Sequence, residues 1–352
     1  MNHFRTKKRK EVTMTGLIFI LLLVLFLPFS VKVIEKNLEI FLFLMGISAV
    51  WVSGIWDPSL ILKALKDPLK ITIAVFIAGL IFKWMKVPLE KMIKRVSQSM
   101  PYPLFLALVV IILGLLSSII TAIIASLVLV IIVAVLRLER KSEVKLVIIT
   151  CFSIGLGAAL TPIGEPLSTI IVSKLNEDMF FLSKLIGREV ILGIIMMGIV
   201  AALFVQPQFK KTRLVADNES ETYQEIFLRT GKIYVFVMGL TLLGAGFQPL
   251  IDTYILGLHE NVLYWINIIS AVLDNATLAA AEISPSMSHQ TIKAILLGLI
   301  ISGGMLIPGN IPNIISSGKL KITSSEWAKF GLPFGFITMA IYFFAILGDK
   351  HL

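Results

Sequence analysis

The stretch from residue 102 to residue 136, YPLFLALVVIILGLLSSIITAIIASLVLVIIVAVL, contains no charged side chain. As one helix it would extend about 50 Å, well beyond the roughly 30 Å of hydrocarbon in a bilayer. The segment is therefore too long for a single membrane span and must change direction somewhere inside. The small polar cluster SSIIT at 117–121 is where we expect this turn.

Composition indicates that the whole chain resides in a membrane. Of its 352 residues 57% are apolar and 15% are charged, and the mean hydropathy is +0.92. A soluble chain of this length cannot bury so much apolar surface. The alternating pattern of membrane β-strands is absent, so we predict an all-α polytopic membrane protein. The other segments expected to cross or enter the bilayer are 14–31, 38–56, 70–85, 183–205, 228–249, 290–307 and 327–348, with an interfacial amphipathic helix at 88–100.

Charge and cysteine content exclude several classes of function. The net charge of +10 comes from basic residues in short loops between apolar segments, which is the positive-inside pattern and does not indicate a nucleic-acid partner. The basic start at 1–10 precedes an apolar run without a small-residue cleavage site, so a retained first helix is expected. The single cysteine, Cys151, cannot form an intramolecular disulfide or a cysteine metal cage, and we expect it to be buried.

Two halves of the chain resemble one another. The segment LTPIGEPLSTIIVSKL at 160–175 aligns without gaps on MLIPGNIPNIISSGKL at 305–320, and VFIAGL at 75–80 matches VFVMGL at 235–240. Between these anchors, SIIT at 118–121 falls opposite DNAT at 274–277. We therefore predict an internal duplication, with this division of the chain: N-terminal helices 1–66, a first transporter repeat 67–206, a linker 207–227 and a second transporter repeat 228–352.

Each predicted repeat contains a helix, a long segment with a polar tip, a helix broken at proline and glycine, and a last helix. If the polar tip is the apex of a re-entrant hairpin, each repeat crosses the membrane three times. An odd number of crossings inverts the second repeat relative to the first. Inverted repeats with broken helices are the architecture of many secondary transporters.

The broken helices expose polar groups inside the membrane. In the second repeat Pro308 and Pro312 remove two amide donors, so that the helix opens around Gly309 beside the amides of Asn310 and Asn313. Unwound backbone in hydrocarbon is costly unless it lines a cavity or finds partners. The corresponding residues of the first repeat are Thr161, Gly164, Glu165 and Ser168. The alternative is a pair of proline kinks that serve packing alone.

The hairpin tips add a second set of candidates. In the second repeat Asp274 and Asn275 lie between apolar arms, and an aspartate at mid-membrane costs roughly 2.5–3.5 kcal/mol. Such a residue is usually retained for an ion, a proton or a partner, although a water-exposed loop is the alternative. The first repeat offers hydroxyl groups, Ser118 and Thr121. We expect Glu282, just beyond the second hairpin, at the membrane interface.

The donor set favours a cation over an anion. Two acids, Glu165 and Asp274, accompany amide, hydroxyl and free carbonyl oxygens, and none of the four motifs contains lysine or arginine. Hard oxygen donors of this kind suit a monovalent cation or a proton. No metal beyond a transported cation and no cofactor are expected.

The motifs DNAT, TPIGEP at 161–166 and GNIPNIISSGKL at 309–320 resemble the signatures of the ion transporter superfamily. This group includes NhaD-type sodium/proton antiporters, the arsenite permease ArsB and divalent anion/sodium symporters. The GNIPNII segment is most similar to the NhaD-like antiporters, whereas the whole chain looks most like the branch of predicted cation transporters. The resemblance covers about 70–348.

The resemblance implies inverted repeats whose hairpin tips and unwound helices form the ion site. By this resemblance, the hairpin signature corresponds to Asp274, Asn275 and Thr277. The second helix break corresponds to Gly309, Asn310 and Asn313. Glu165 falls where relatives often have an acidic or polar residue. The first hairpin departs from the family, because SSIIT stands where antiporters commonly have an acidic or asparagine motif.

These observations favour a secondary active transporter of a monovalent cation that works by alternating access. The expected cation is Na⁺, and Na⁺/H⁺ antiport is one mode that fits the site. The alternative is a Na⁺-coupled carrier of an organic anion or an oxyanion such as arsenite or a dicarboxylate. We do not expect an enzyme, since HExxH, GxGD and DDxxD motifs are absent. The expected location is the plasma membrane. A homodimer is one option for the assembly, and the side of the N-terminus stays open.

Overall fold

The structure, a computed structural model, describes residues 2–205, 222–254, 257–271 and 275–348. Within these ranges the chain is helical and has no β-strand. The α-helices are α1 (Asn2–Ser30), α2 (Lys32–Lys36), α3 (Leu38–Ser53), α4 (Pro58–Ser99), α5 (Tyr102–Leu136), α6 (Arg140–Ala158), α7 (Pro166–Leu175), α8 (Phe181–Phe204), α9 (Tyr223–Tyr254), α10 (Glu260–Ile266), α11 (Asn275–Glu282), α12 (His289–Gly303), α13 (Ile311–Leu320) and α14 (Ser324–Gly348).

Four of the described helices are long and apolar enough to cross a membrane, namely α5, α8, α9 and the part of α14 from Ser324 to Phe344. Among them α5 is the most apolar. The shorter apolar helices α3 and α12 accompany these four. The predicted all-helical class is thus confirmed, and the long apolar helices indicate a membrane protein.

The backbone of α5 leaves the helical conformation at Thr121. This residue has φ 76° and ψ 150°, values in the left-handed half of backbone space that a β-branched side chain rarely adopts. The helix is thereby divided into segments 102–120 and 122–136, each short enough to fit within the hydrocarbon layer. The break in α5 lies inside the polar cluster at which the sequence predicted a turn. Whether the two segments form a re-entrant hairpin stays a prediction.

The helix α4 is longer than expected. It runs continuously through Pro68 and Pro88 and joins the predicted span at 70–85 to the predicted amphipathic helix at 88–100. A proline inside a helix removes one hydrogen bond, and packing on neighbouring helices, here α5 and α9, can offset that loss. The predicted boundary between the N-terminal helices and the first repeat, at 66/67, falls inside this helix. Part of the predicted linker, 223–227, likewise belongs to α9.

The N-terminal helices attach to the second half of the chain through α3 and α9. A Cβ atom added to Gly46 would lie 2.8 Å from the carbonyl oxygen of Gly239, and one added to Gly239 would lie 2.7 Å from the amide nitrogen of Phe43. Small residues at such positions allow two helix backbones to touch. Lys232 of α9 adds an ion pair with Glu39 of α3 at 2.8 Å.

Two further groups of ionic contacts join the two halves. The Nζ of Lys293 in α12 lies 2.6 Å from Oε1 of Glu189 in α8, and these side chains are 12% and 10% exposed. The guanidinium of Arg140, at the start of α6, pairs with Glu326 at 2.7 Å and also donates to the carbonyl oxygens of Leu320 and Lys321. Arg140 therefore binds the C-terminal end of α13, the helix that follows the second break.

Candidate functional site

The two breaks have nearly the same backbone geometry. The residues immediately before α7 and α13 are Glu165, with φ −156° and ψ 162°, and Asn310, with φ −152° and ψ 147°. Both helices are ten residues long, and both end at a left-handed residue, Asn176 or Lys321. The gap-free alignment of 160–175 with 305–320 therefore also holds in three dimensions at these residues.

Equivalent side chains satisfy the carbonyl groups released where each helix breaks. Ser168 donates from its Oγ to the carbonyl oxygen of Ala159 at 3.0 Å. Asn313, at the matching position, donates from its Nδ2 to the carbonyl oxygens of Gly303 and Leu306, both at 2.8 Å. The final carbonyls of a helix lack partners within the helix, so these side chains stabilise the open conformation. The Ser168 hydroxyl and the Asn313 amide hydrogens are thus occupied by protein.

Gly164 and Gly309 bring the breaks into backbone contact with the preceding helices. A Cβ atom on Gly164 would overlap the carbonyl oxygen of Ala158, and one on Gly309 would lie 2.5 Å from that of Gly303. The carbonyl oxygen of Gly164 also accepts a hydrogen bond from the amide of Ala122 at 3.0 Å. The first break is therefore joined directly to the residue that follows the interruption of α5.

Hydrogen bonds between helices give the register of the two predicted hairpins. Ser117 donates to the carbonyl oxygen of Ile154 at 2.9 Å, and Ser270 donates to that of Leu299 at 3.1 Å. Ile154 and Leu299 are equivalent under the alignment of the breaks, so Ser117 corresponds to Ser270. Four residues further along each segment, Thr121 corresponds to Asp274.

The alignment of SIIT with DNAT is therefore shifted by three residues from the register that the packing gives. The sequence alignment matched the two threonines, Thr121 and Thr277, because they are identical. The contacts between helices depend instead on small side chains earlier in the two segments. The Ser302 hydroxyl donates to the carbonyl oxygen of Asn267 at 2.6 Å, and the matching Gly157 packs on the carbonyl of Gly114. This second pair of contacts requires the same register.

The hydroxyl groups of the first predicted hairpin are hydrogen-bonded within the protein. Ser118 donates to the carbonyl oxygen of Leu115 in its own helix at 2.7 Å, while its own carbonyl oxygen accepts from Thr161 at 2.5 Å. The Oγ1 of Thr121 accepts from the amide of Ile124 at 3.4 Å and so caps the second segment of α5. Of the second hairpin, Asp274 and the side chain of Thr277 lie outside the described residues.

The polar side chains of the candidate site are buried. Their relative exposures are 5% for Glu165, 4% for Asn275, 4% for Asn310, 0% for Ser168 and 0% for Asn313. Within the described part of the chain, Nδ2 of Asn275 and Oδ1 of Asn313 have no hydrogen-bond partner. Buried amide groups are almost always hydrogen-bonded in folded proteins, so unused atoms of this kind point to water or a ligand.

The structure brings parts of the two halves together around these residues. The amide of Asn310 lies against α6 of the first half, 2.7 Å from where a Cβ atom of Gly155 would be. The helix α13 packs on α5, and α7 packs on α11. Each broken helix thus contacts the predicted hairpin of the other half. Cys151 on α6 is buried as predicted, with its Sγ 3.5 Å from the carbonyl oxygen of Pro312.

Three polar residues near the second hairpin were not predicted as part of the site. Asn267 and Ser270 are fully buried and contact α12. Glu282, expected at the membrane interface, is 1% exposed and enclosed by neighbouring helices. The one sequence signal for the first two is their i, i+3 spacing, which repeats that of Gly114 and Ser117. In the part of the chain that the structure describes, no group of three or more His, Cys, Asp or Glu side chains could hold a metal ion.

Long apolar helices and buried polar breaks in equivalent places define the class as a polytopic helical protein with the character of a membrane protein. A model of a family of proteins of unknown function, DUF1646, matches residues 14–348, and the chain therefore belongs to this family. The match includes both breaks and both predicted hairpins. No protein of curated function matches the chain.

Proposed function

We propose that the protein is a secondary active transporter of a monovalent cation, with Na⁺ as the favoured ion and protons as the counter-ion, in the plasma membrane. The observation that carries the proposal is the pair of matched breaks. Each places polar groups inside an apolar fold, and each broken helix packs on the predicted hairpin of the other half, α7 on α11 and α13 on α5. Inverted repeats with broken helices meeting at one site are the usual basis of alternating access.

The packing of α7 on α11 supports a site that contains both acids. Glu165 immediately precedes α7, and Asp274 immediately precedes α11 in the sequence. The start of each helix also carries an amide side chain or hydroxyl within one turn, Asn275 and Ser168. In the other pair, α13 on α5, the equivalent positions hold the neutral residues Asn310 and Thr121. The negative charge is thus concentrated in one of the two contacts, which suits a single cation.

A buried carboxylate couples cation and proton movement through competition. Glu165 is 5% exposed, and a carboxylate with little access to water is stabilised either by a bound cation or by protonation. If one ion must leave before the other binds, transport in one direction drives transport in the other. The amides of Asn275 and Asn310 can supply neutral oxygen ligands that remain when the acid is protonated.

The test is transport by the purified protein in proteoliposomes. We expect an inward Na⁺ gradient to drive proton movement in the wild type, and we expect the double variant Glu165→Gln, Asp274→Asn to lose it, since neither amide can exchange a proton for a cation. Glu177→Gln, an exposed carboxylate between α7 and α8, is the matched control and should transport normally. Retained exchange in the double variant would refute the role of the two acids.

One feature favours the second candidate function, a Na⁺-coupled carrier of an organic anion or an oxyanion. The N-terminal ends of α7 and α13 carry no side-chain cap at Glu165 or Asn310, and uncapped helix N-termini attract anions. An anion-dependent current under a Na⁺ gradient would identify this function. Proton movement driven by Na⁺ without added anion would exclude it.

A further inference from the structure

Glu282 is a buried acid that the candidate site does not use. It is the last residue of α11 and is 1% exposed, and both of its carboxylate oxygens lack a hydrogen-bond partner among the described residues. Asn275 begins the same helix, so the two side chains are separated by about 10 Å along the axis. The helix α11 therefore carries a candidate cation ligand at one end and a buried carboxyl group, close to the side chain of Asn267, at the other.

Three features of its position favour the neutral form of the Glu282 carboxyl. Burial removes the hydration of the charged form, and the missing donors leave that loss uncompensated. The C-terminal end of a helix carries partial negative charge, which disfavours a carboxylate there. The opposing influence is the side chain of Asn267, which lies close to the carboxyl and favours its ionised form.

The charged side chains on the surrounding helices have partners of their own or lie at the surface. The elements packed on α11 are α7, α9, α12 and the turn 267–271. Lys293 of α12 pairs with Glu189, and Lys232 of α9 pairs with Glu39. The side chain of Arg229 lies outside the described residues. The remaining titratable groups on these helices are Lys174, Glu225, Tyr223, Tyr234, Asp252, Tyr254 and His289.

We propose that Glu282 is a second proton-binding group of the transport cycle, separate from the acids at the breaks, where proton and cation compete. This inference rests on the proposed function, because it assigns the counter-ion of that same cycle. In the described conformation the carboxyl is enclosed and holds a proton. When α11 moves so that its C-terminal end reaches water, the proton leaves to bulk water and the carboxylate is hydrated. The return movement requires that a proton be taken up again, because an unpaired buried carboxylate is costly.

The experiment compares Glu282→Gln with Glu177→Gln in proteoliposomes. Two processes are measured, the exchange of radioactive Na⁺ for unlabelled Na⁺ and the movement of protons under a Na⁺ gradient. We expect Glu282→Gln to retain Na⁺/Na⁺ exchange and to move fewer protons per Na⁺ than the wild type, while Glu177→Gln keeps both processes at the wild-type level. Glu282→Asp, which keeps a carboxyl group, should retain proton movement with a shifted pH dependence. Proton movement in Glu282→Gln equal to that of the wild type would overturn the inference and leave the proposed function intact.

An infrared measurement separates the two proposals. In the wild-type protein the C=O band of a protonated carboxyl group should appear as the pH is lowered, and Glu282→Asp should shift it. If the wild type transports no Na⁺, the proposed function fails, and the titrating band still decides whether Glu282 binds a proton reversibly. A band that is unchanged at every pH, or that Glu282→Gln leaves in place, would overturn the inference. If Glu282→Gln does not fold, the shift of the band in Glu282→Asp makes the same assignment.

Discussion

Gly309→Ala is expected to abolish the proposed transport and to destabilise the protein by about 3 kcal/mol, at the upper end of what overpacking usually costs. The added Cβ atom would lie 2.5 Å from the carbonyl oxygen of Gly303 and 2.6 Å from that of Ser270. Both atoms belong to backbone, so neither can move aside by a rotamer change. The second break would have to shift away from the turn 267–271, and Asn310 and Asn313 would shift with it.

The matched control is Gly318→Ala, in the helix that follows the same break. A Cβ atom on Gly318 meets nothing within 4 Å, and alanine is a better helix former than glycine by about 1 kcal/mol. Thermal unfolding in detergent should therefore show a loss for Gly309→Ala and no loss for Gly318→Ala, and proteoliposome transport should follow. Equal stability of the two variants would show that the break does not pack on the turn as described.

Removing the charge of Lys293 is expected to cost about 3–5 kcal/mol, the range found when one partner of a buried ion pair is lost. Its Nζ lies 2.6 Å from Glu189, and each side chain is almost nine-tenths buried. Lys293→Met leaves the Glu189 carboxylate without its counter-charge between α8 and α12. The double variant Glu189→Gln, Lys293→Met removes both charges and should recover most of the loss. The free energies of unfolding of the two single variants and the double variant together give the coupling energy of the ion pair.

A solvent-exposed ion pair, Lys184 with Asp178, is the control for the buried pair of Lys293 and Glu189. Lys184 and Asp178 lie 2.9 Å apart, yet their side chains are 70% and 59% exposed. Such surface pairs contribute about 0–1 kcal/mol, so Lys184→Met should have little effect. Similar losses for Lys293→Met and Lys184→Met would mean that water reaches the pair between α8 and α12.

The breaks could be predicted from the sequence because proline and glycine interrupt helical hydrogen bonding, and the short polar side chains beside them can satisfy the groups that are released. The polar SSIIT cluster within a long apolar segment likewise indicated the interruption of α5. Continuity of α4 through Pro68 and Pro88 could not be predicted, since the local rule for proline favours a helix end and only tertiary packing decides otherwise.

Sequence patterns could not predict the polar contacts between helices that are far apart in the chain. Glu189 and Lys293 are far apart in the chain, and nothing near either residue indicates the other. The burial of Glu282 depends on how α11 lies among four elements, and no local pattern indicates it. Its expected position at the membrane interface stays a prediction. The register of the two predicted hairpins depends on the small residues Ser117 and Ser270, whose contacts with other helices exist only in the folded protein.

The glycine contacts between α3 and α9 show that helices which are close together in this protein are not always close in the sequence. The first three helices precede the first half in the chain, yet α3 touches the backbone of α9 in the second half through Gly46 and Gly239. If the gene were cut between the halves, the first fragment would present an uncovered strip of small residues, and the second would lack the helix that covers it. We therefore expect that neither fragment would fold completely until the two had assembled with each other.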